Sequence, residues 1–143
     1  MTTYIHYGAN RFDLEEFKPI RNEPCFTKPM GGLWASDIEA PYGWRDWCED
    51  EHFHMDQFEK FFQFHLSEDA NVFFVDSHEK LEQLPQAEGS IPKWYLIDFE
   101  AALAQGIDAI EISISKCTEL YWDLYGWDCD SILIMNKDVI VPE

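Results

Sequence analysis

The run Ser131-Ile132-Leu133-Ile134-Met135 constrains the fold more than any other stretch of the chain. It is too short for a buried helix and too continuously apolar for a strand with one wet face. It predicts a strand near the middle of a sheet, buried on both faces. Such a strand needs neighbours on either side and a packed layer above and below. The chain has 143 residues, 46% of them apolar, which is the material for one domain with one real core.

Other segments supply the neighbours. Thr3–Tyr7 is a short β-prone run ending at Gly8, and Leu33–Ser36 is a compact strand after the Gly31–Gly32 pair. Val72–Val75 and Val139–Val141 are further short strands, and Trp94–Leu96 another. Ile107–Ile114 alternates apolar and polar residues, as a strand with two unlike faces does. Phe58–Leu66 reads as a strand joined to Val72–Val75 near Ser67–Asn71, with the end of a helix as the alternative. Short helices fall between these runs. Asp13 is placed to cap one through Phe17. Tyr42–Glu51 reads as a helix that sets Trp44 and Trp47 on one face. Ser77 caps His78–Leu84, Asp98 caps Phe99–Gln105 before Gly106, and Ser115–Tyr125 is a further helix. Gln83–Pro92, rich in breakers, is a loop. The mixture predicts a single α+β domain over residues 1–143 rather than a regular doubly wound sheet.

Charge then narrows the partners. Ten basic residues stand against 28 acidic ones, a formal net charge of −18. Such a chain repels phosphate backbones and anionic lipid at long range, so nucleic acid and membrane are set aside; the acidity serves either simple solubility or attraction to a protein with a basic surface. No apolar run approaches the ~20 residues that span a bilayer. The cysteines, Cys25, Cys48, Cys117 and Cys129, include no C-x-x-C pair and follow no signal peptide. They read as free thiols in a reducing compartment, and the expected location is cytoplasmic.

Three segments carry chemistry beyond packing. In Tyr4-Ile5-His6-Tyr7-Gly8, an imidazole on a strand can meet a ligand hydroxyl while Gly8 lets the ligand near the backbone; a core histidine bonded to a carbonyl is the plainer reading. Gly32-Leu33-Trp34-Ala35-Ser36, followed by Tyr42-Gly43-Trp44-Arg45-Asp46-Trp47, offers indoles for an aromatic slot or simply for the core. Trp127-Asp128-Cys129-Asp130 places carboxylates at the mouth of the central strand. There they either stabilise positive charge in a cleft or lie in an exposed turn. Cys48, Glu51, His52 and His54 are close enough to consider as metal ligands. A structural zinc site needs four ligands in a recognised pattern, and none is present.

In order, the three segments resemble the ADP-ribosyltransferase fold in its H-Y-E branch, and Tyr95–Ser113 with Trp127–Ile140 looks like the end of small bacterial and phage members. The resemblance spans most of the chain through short motifs. It implies split β-sheets with short flanking helices, NAD as substrate, cleavage of the nicotinamide–ribose bond, and modification of a protein target. It makes His6 and Asp130 the catalytic pair, with His6 holding the ribose and Asp130 supporting the developing cation. Gly8, Gly32, Trp34, Ser36, Trp44 and Trp47 complete the NAD site. Three positions depart from the pattern. Tyr7 separates His6 from Gly8, Trp34 stands where the family has Tyr, and Asp130 replaces Glu, with Asp128 a competitor two residues away. The competing function is a non-enzymatic acidic inhibitor that mimics nucleic acid and blocks a basic binding groove. A pocket that binds without chemistry is a third.

Overall fold

The computed structural model describes residues 1–23, 27–52, 58–87, 95–124 and 127–143. Among these, seven strands form one mixed sheet, and the chain is a small α+β domain. The strands are β1 (Tyr4–Tyr7), β2 (Leu33–Asp37), β3 (Phe61–Leu66), β4 (Val72–Val75), β5 (Ala109–Ile112), β6 (Ser131–Ile134) and β7 (Ile140–Pro142), in the order β4-β5-β6-β2-β1-β3-β7. Only β4 and β5 run parallel.

The central strand is where its sequence puts it. β6 pairs with β5 on one side and β2 on the other, and Ile132, Leu133 and Ile134 are fully buried. Alternation then divides the core. Leu133 joins Ile110, Ile112 and Val75 on the face covered by α2 (His78–Leu81), α3 (Phe99–Ala104) and α4 (Glu119–Asp123). Ile132 and Ile134 join Tyr4, Ala35, Phe62 and Phe64 on the other face, where Phe12, Phe17 and Val139 pack. The helix caps are local and hold as expected: the Ser77 side chain accepts from Lys80 N–H and the Asp98 side chain from Ala101 N–H.

Several boundaries differ from the sequence reading. Asp13–Phe17 forms only a turn, with Glu16 and Phe17 N–H each bonded three residues back. Five residues give too little helix to offset nucleation, and Phe17 is drawn into the core instead. The stretch from Ser115 breaks into a 3₁₀ turn at Ile114–Lys116 and α4, because Ser115 N–H is taken by the Asp130 carboxylate. The alternation at Ile107–Ile114 yields a strand only over β5. Of Phe58–Leu66, β3 is the strand. Trp94 in the expected strand, the end of Gln83–Pro92, Tyr125, Cys25 and His54 lie outside the described residues.

One junction in the sheet is narrow. β1 pairs with β3 at four positions but with β2 at only two, Tyr4 with Asp37 and Ile5 with Ser36. The other half of β2, Leu33–Ala35, pairs with β6. His6 and Tyr7 therefore have no ladder partner on the β2 side, and the sheet leaves room there.

Candidate functional site

The room at that junction is a cavity of about 310 Å³. Ile5, His6 and Tyr7 of β1 and Trp34 and Ala35 of β2 form two walls. Trp44 from α1 (Trp44–Glu51), Lys28, and Trp127 with Asp128, Cys129 and Ser131 at the mouth of β6 form the rest. Its volume is at the low end of ligand pockets, the size for a nucleoside-like group rather than a whole dinucleotide.

His6 spans the junction. Its Nδ1 lies 2.6 Å from the Trp34 carbonyl oxygen. A carbonyl only accepts, so Nδ1 carries the hydrogen and Nε2 is left with a lone pair. Burial lowers the imidazole's basicity, against a smaller opposing effect of that backbone bond. The ring is a neutral acceptor at pH 7, held on its side by Phe62 with ring centroids 5.1 Å apart. One nitrogen is thus bonded to the backbone, as the plainer reading of His6 expects, and the residue also lines the cavity.

The aromatic walls are built in layers. Trp127, 1% exposed, meets Trp34 edge-on at 4.8 Å and stacks on Phe99 at 6.5 Å. Its indole N–H donates to the Thr27 carbonyl at 3.0 Å, so its polar atom is satisfied. Trp44 stacks on Trp47 at 5.2 Å with ring planes 17° apart. Trp47 thus supports the wall from behind and does not line the cavity. Lys28 Nζ sits 5.4 Å from the Trp34 ring, a cation over an indole face. Nothing in its loop sequence signals that role.

The carboxylates divide the work unexpectedly. Asp128 lines the cavity and Asp130 does not. Asp130 is 5% exposed. Its Oδ1 accepts from Ser115 N–H at 2.8 Å, and its Oδ2 accepts from Ser115 Oγ–H at 2.6 Å and Tyr42 N–H at 3.2 Å. Its own N–H donates to the Tyr42 carbonyl at 2.8 Å, and its carbonyl accepts from Ser36 Oγ–H at 2.9 Å. Ser36 Oγ in turn accepts from Trp44 N–H at 3.1 Å, at the first turn of α1. Asp130 and Ser36 are a clasp between β2, β6, the start of α1 and the Ser115 turn. They hold the cavity's walls without entering it.

The glycines are also structural. Gly32 has φ +74°, and a Cβ there would lie 2.8 Å from the Ile134 carbonyl oxygen. It lets β2 approach β6. Gly8 has φ +106° with open space around it, is exposed, and ends β1. Neither lines the cavity. Burial pushes the Cys129 thiol up to about 12, so this cavity residue stays protonated and is not a nucleophile near neutral pH. Cys48 is buried and His52 is exposed at the end of α1. Among the described residues no three His, Cys, Asp or Glu side chains are placed to hold a metal ion. No described helix is long and apolar enough to cross a membrane.

Of the residues expected to form the site, the fold brings His6, Trp34 and Trp44 together. It adds Tyr7, Lys28, Trp127 and Asp128 and places Asp130, Ser36, Gly8, Gly32 and Trp47 around the cavity as supports or outside it. No protein-family model matches the chain, and no curated protein or solved structure matches it.

Proposed function

We propose that this chain is an NAD-binding protein of the ADP-ribosyltransferase type, taking the nicotinamide–ribose end of NAD⁺ in the His6–Trp34 cavity and transferring ADP-ribose to a protein target. The observation that carries the reading is His6, a half-buried neutral imidazole whose Nδ1 is fixed by Trp34 and whose Nε2 is free to accept from a ribose hydroxyl. The narrow β1–β2 junction supports a split-sheet reading, since the two halves of β2 belong to different neighbours. Trp34 and Trp44 give a flat ring its walls.

The chemistry follows from charge. The ribose C1′–N bond breaks, its electron pair leaves with nicotinamide, and the ribose becomes oxocarbenium-like. Asp128, the carboxylate in the cavity wall, stabilises that charge more than it does the ground state. A target nucleophile closes the new bond at C1′ and releases its proton to solvent. Asp130 keeps Trp44 and the β6 mouth in place while this happens. Calorimetric titration of NAD⁺ into the wild type and His6→Ala, with nicotinamide release followed over hours, tests the reading. Binding lost on substitution, with slow release in the wild type, supports it. Binding without release leaves a pocket that has no chemistry. No binding at millimolar NAD⁺ refutes it.

One observation favours a second reading, the acidic inhibitor: Glu49, Asp50 and Glu51 stand exposed in succession at the end of α1 on a chain of charge −18. That reading predicts salt-sensitive binding to a basic nucleic-acid-binding protein, unchanged by His6→Ala.

A further inference from the structure

A second cavity, of about 280 Å³, adjoins the first, and Ile5, Tyr7 and Trp44 line both. The second is the more polar, with Ser36, Arg45, Asp46 and Gln63 among its walls. The two are halves of one groove divided by the three shared side chains. Ile5 is pinned by the sheet, paired to Ser36 on one side and Gln63 on the other. Trp44 is stacked on Trp47. Tyr7 is held differently, past the last β1–β2 pair. Its ring meets Phe58 edge-on at 4.8 Å. The Arg45 guanidinium lies 5.3 Å from the Phe58 ring and pairs with Glu49 at 2.9 Å. Tyr7, Phe58 and Arg45 form a bar from β1 to α1.

We infer that Tyr7 is the specificity-determining residue of this groove, a partition that closes the inner cavity to the part of a ligand extending beyond its flat ring and ribose. The inference rests on the reading of the inner cavity as a nicotinamide–ribose site. A mononucleotide fits on one side of the bar. A dinucleotide has to pass it, and gains from the second cavity only when the Tyr7 ring is out of the way. The outer anchor is weak, because Arg45 and Glu49 are about half exposed and such a pair contributes at most about 1 kcal/mol. The partition is therefore a selector of ligand length rather than a permanent wall.

The test titrates nicotinamide mononucleotide and NAD⁺ into the wild type, Tyr7→Ala and Tyr7→Phe. The wild type binds the two within about threefold of each other, and Tyr7→Ala prefers NAD⁺ by at least about tenfold, a shift of about 1.4 kcal/mol. Tyr7→Phe keeps the ring and its edge contact with Phe58, and so keeps the wild-type pattern. If Tyr7→Ala fails to fold by circular dichroism, Tyr7→Leu, which also removes the ring, takes its place and must still raise the preference for NAD⁺. Binding with the same preference in every folded variant overturns the partition and leaves the nicotinamide–ribose site standing. Absence of binding by both ligands in all three proteins overturns that site and the partition with it.

Discussion

Replacing Asp130 by alanine separates a clasp from a catalytic acid. The substitution strands three donors: Ser115 N–H at 2.8 Å, Ser115 Oγ–H at 2.6 Å and Tyr42 N–H at 3.2 Å. Hydrogen bonds to a charged acceptor contribute about 1.5–3 kcal/mol each when buried. The two short bonds count most. Both come from Ser115, which is exposed, so water replaces part of the loss. The long bond from Tyr42 adds little. The net cost is about 2–3 kcal/mol, which at this chain length lowers the melting temperature by roughly 6–12 °C. Asp130→Asn keeps one carbonyl oxygen and turns an amide NH₂ on the other donors, and loses about half as much. Asp128→Ala, at a half-buried position in the cavity wall, changes stability by less than about 0.5 kcal/mol and removes nicotinamide release instead. Differential scanning calorimetry of the three variants, alongside nicotinamide release, reads both quantities. Asp130→Ala melting within about 1 °C of wild type, or abolishing release from a fully stable protein while Asp128→Ala releases normally, refutes the division of roles.

Three further outcomes follow from the same geometry. Because burial lowers the His6 pKa and only neutral Nε2 accepts, NAD⁺ affinity stays flat from about pH 7 to 8.5 and falls only below the ordinary histidine range near ~6.5; a binding curve that instead improves on acidification contradicts the neutral acceptor. Gly32→Ala costs about 2–3 kcal/mol by urea denaturation, since it adds a 2.8 Å clash with the Ile134 carbonyl to a positive φ, whereas Gly8→Ala, with open space, costs about 1 kcal/mol; equal effects would refute the close approach of β2 and β6. His78 bonds Asp123 at 2.7 Å and Glu82 at 2.8 Å, tying α2 to α4, and the Asp123 bond first raises its pKa. A raised folded-state pKa stabilises below the unfolded value and is lost as pH rises through the folded one, so the wild-type advantage over His78→Ala is full below the ordinary histidine range near ~6.5 and shrinks as pH rises above it. His78 is 41% exposed, so screening keeps that advantage below about 1 kcal/mol and salt reduces it further; an advantage that grows with pH reverses the assignment.

What the sequence makes legible is what local rules govern. Ser131–Ile134 is readable because a short run apolar on every side has one place to go, and it fills the sheet's centre. The caps at Ser77 and Asp98 are readable because donor and acceptor are three residues apart. Trp44 and Trp47 share a helix face and do stack. The errors come from distant partners. Ser115 N–H finds a carboxylate 15 residues away and the helix there is interrupted. Asp128 and Asp130 flank the same buried cysteine and look interchangeable in sequence. What assigns them is Tyr42, 88 residues from Asp130, and Ser115 beside it. Lys28 is invisible for the same reason: its place over Trp34 depends on a loop closing against β2.

The site also resolves a tension in the composition. A chain of charge −18 repels an anionic dinucleotide at long range, which argues against NAD⁺. At physiological ionic strength that field is screened beyond about 8 Å, so binding is decided by the groups inside the cavity. Those groups are nearly balanced: Lys28 against Asp128, with His6 neutral and Cys129 protonated. Lys28 covers the Trp34 face, where on the proposed reading a nicotinamide ring would stack and a phosphate would find a cation. If NAD⁺ is the ligand, as proposed, its entry would exchange one cation over the indole for another, since its nicotinamide ring is itself positively charged, and would free Lys28 to meet phosphate. On the proposed reading, the acidic exterior would draw a basic protein surface towards a cleft whose own charge is close to zero.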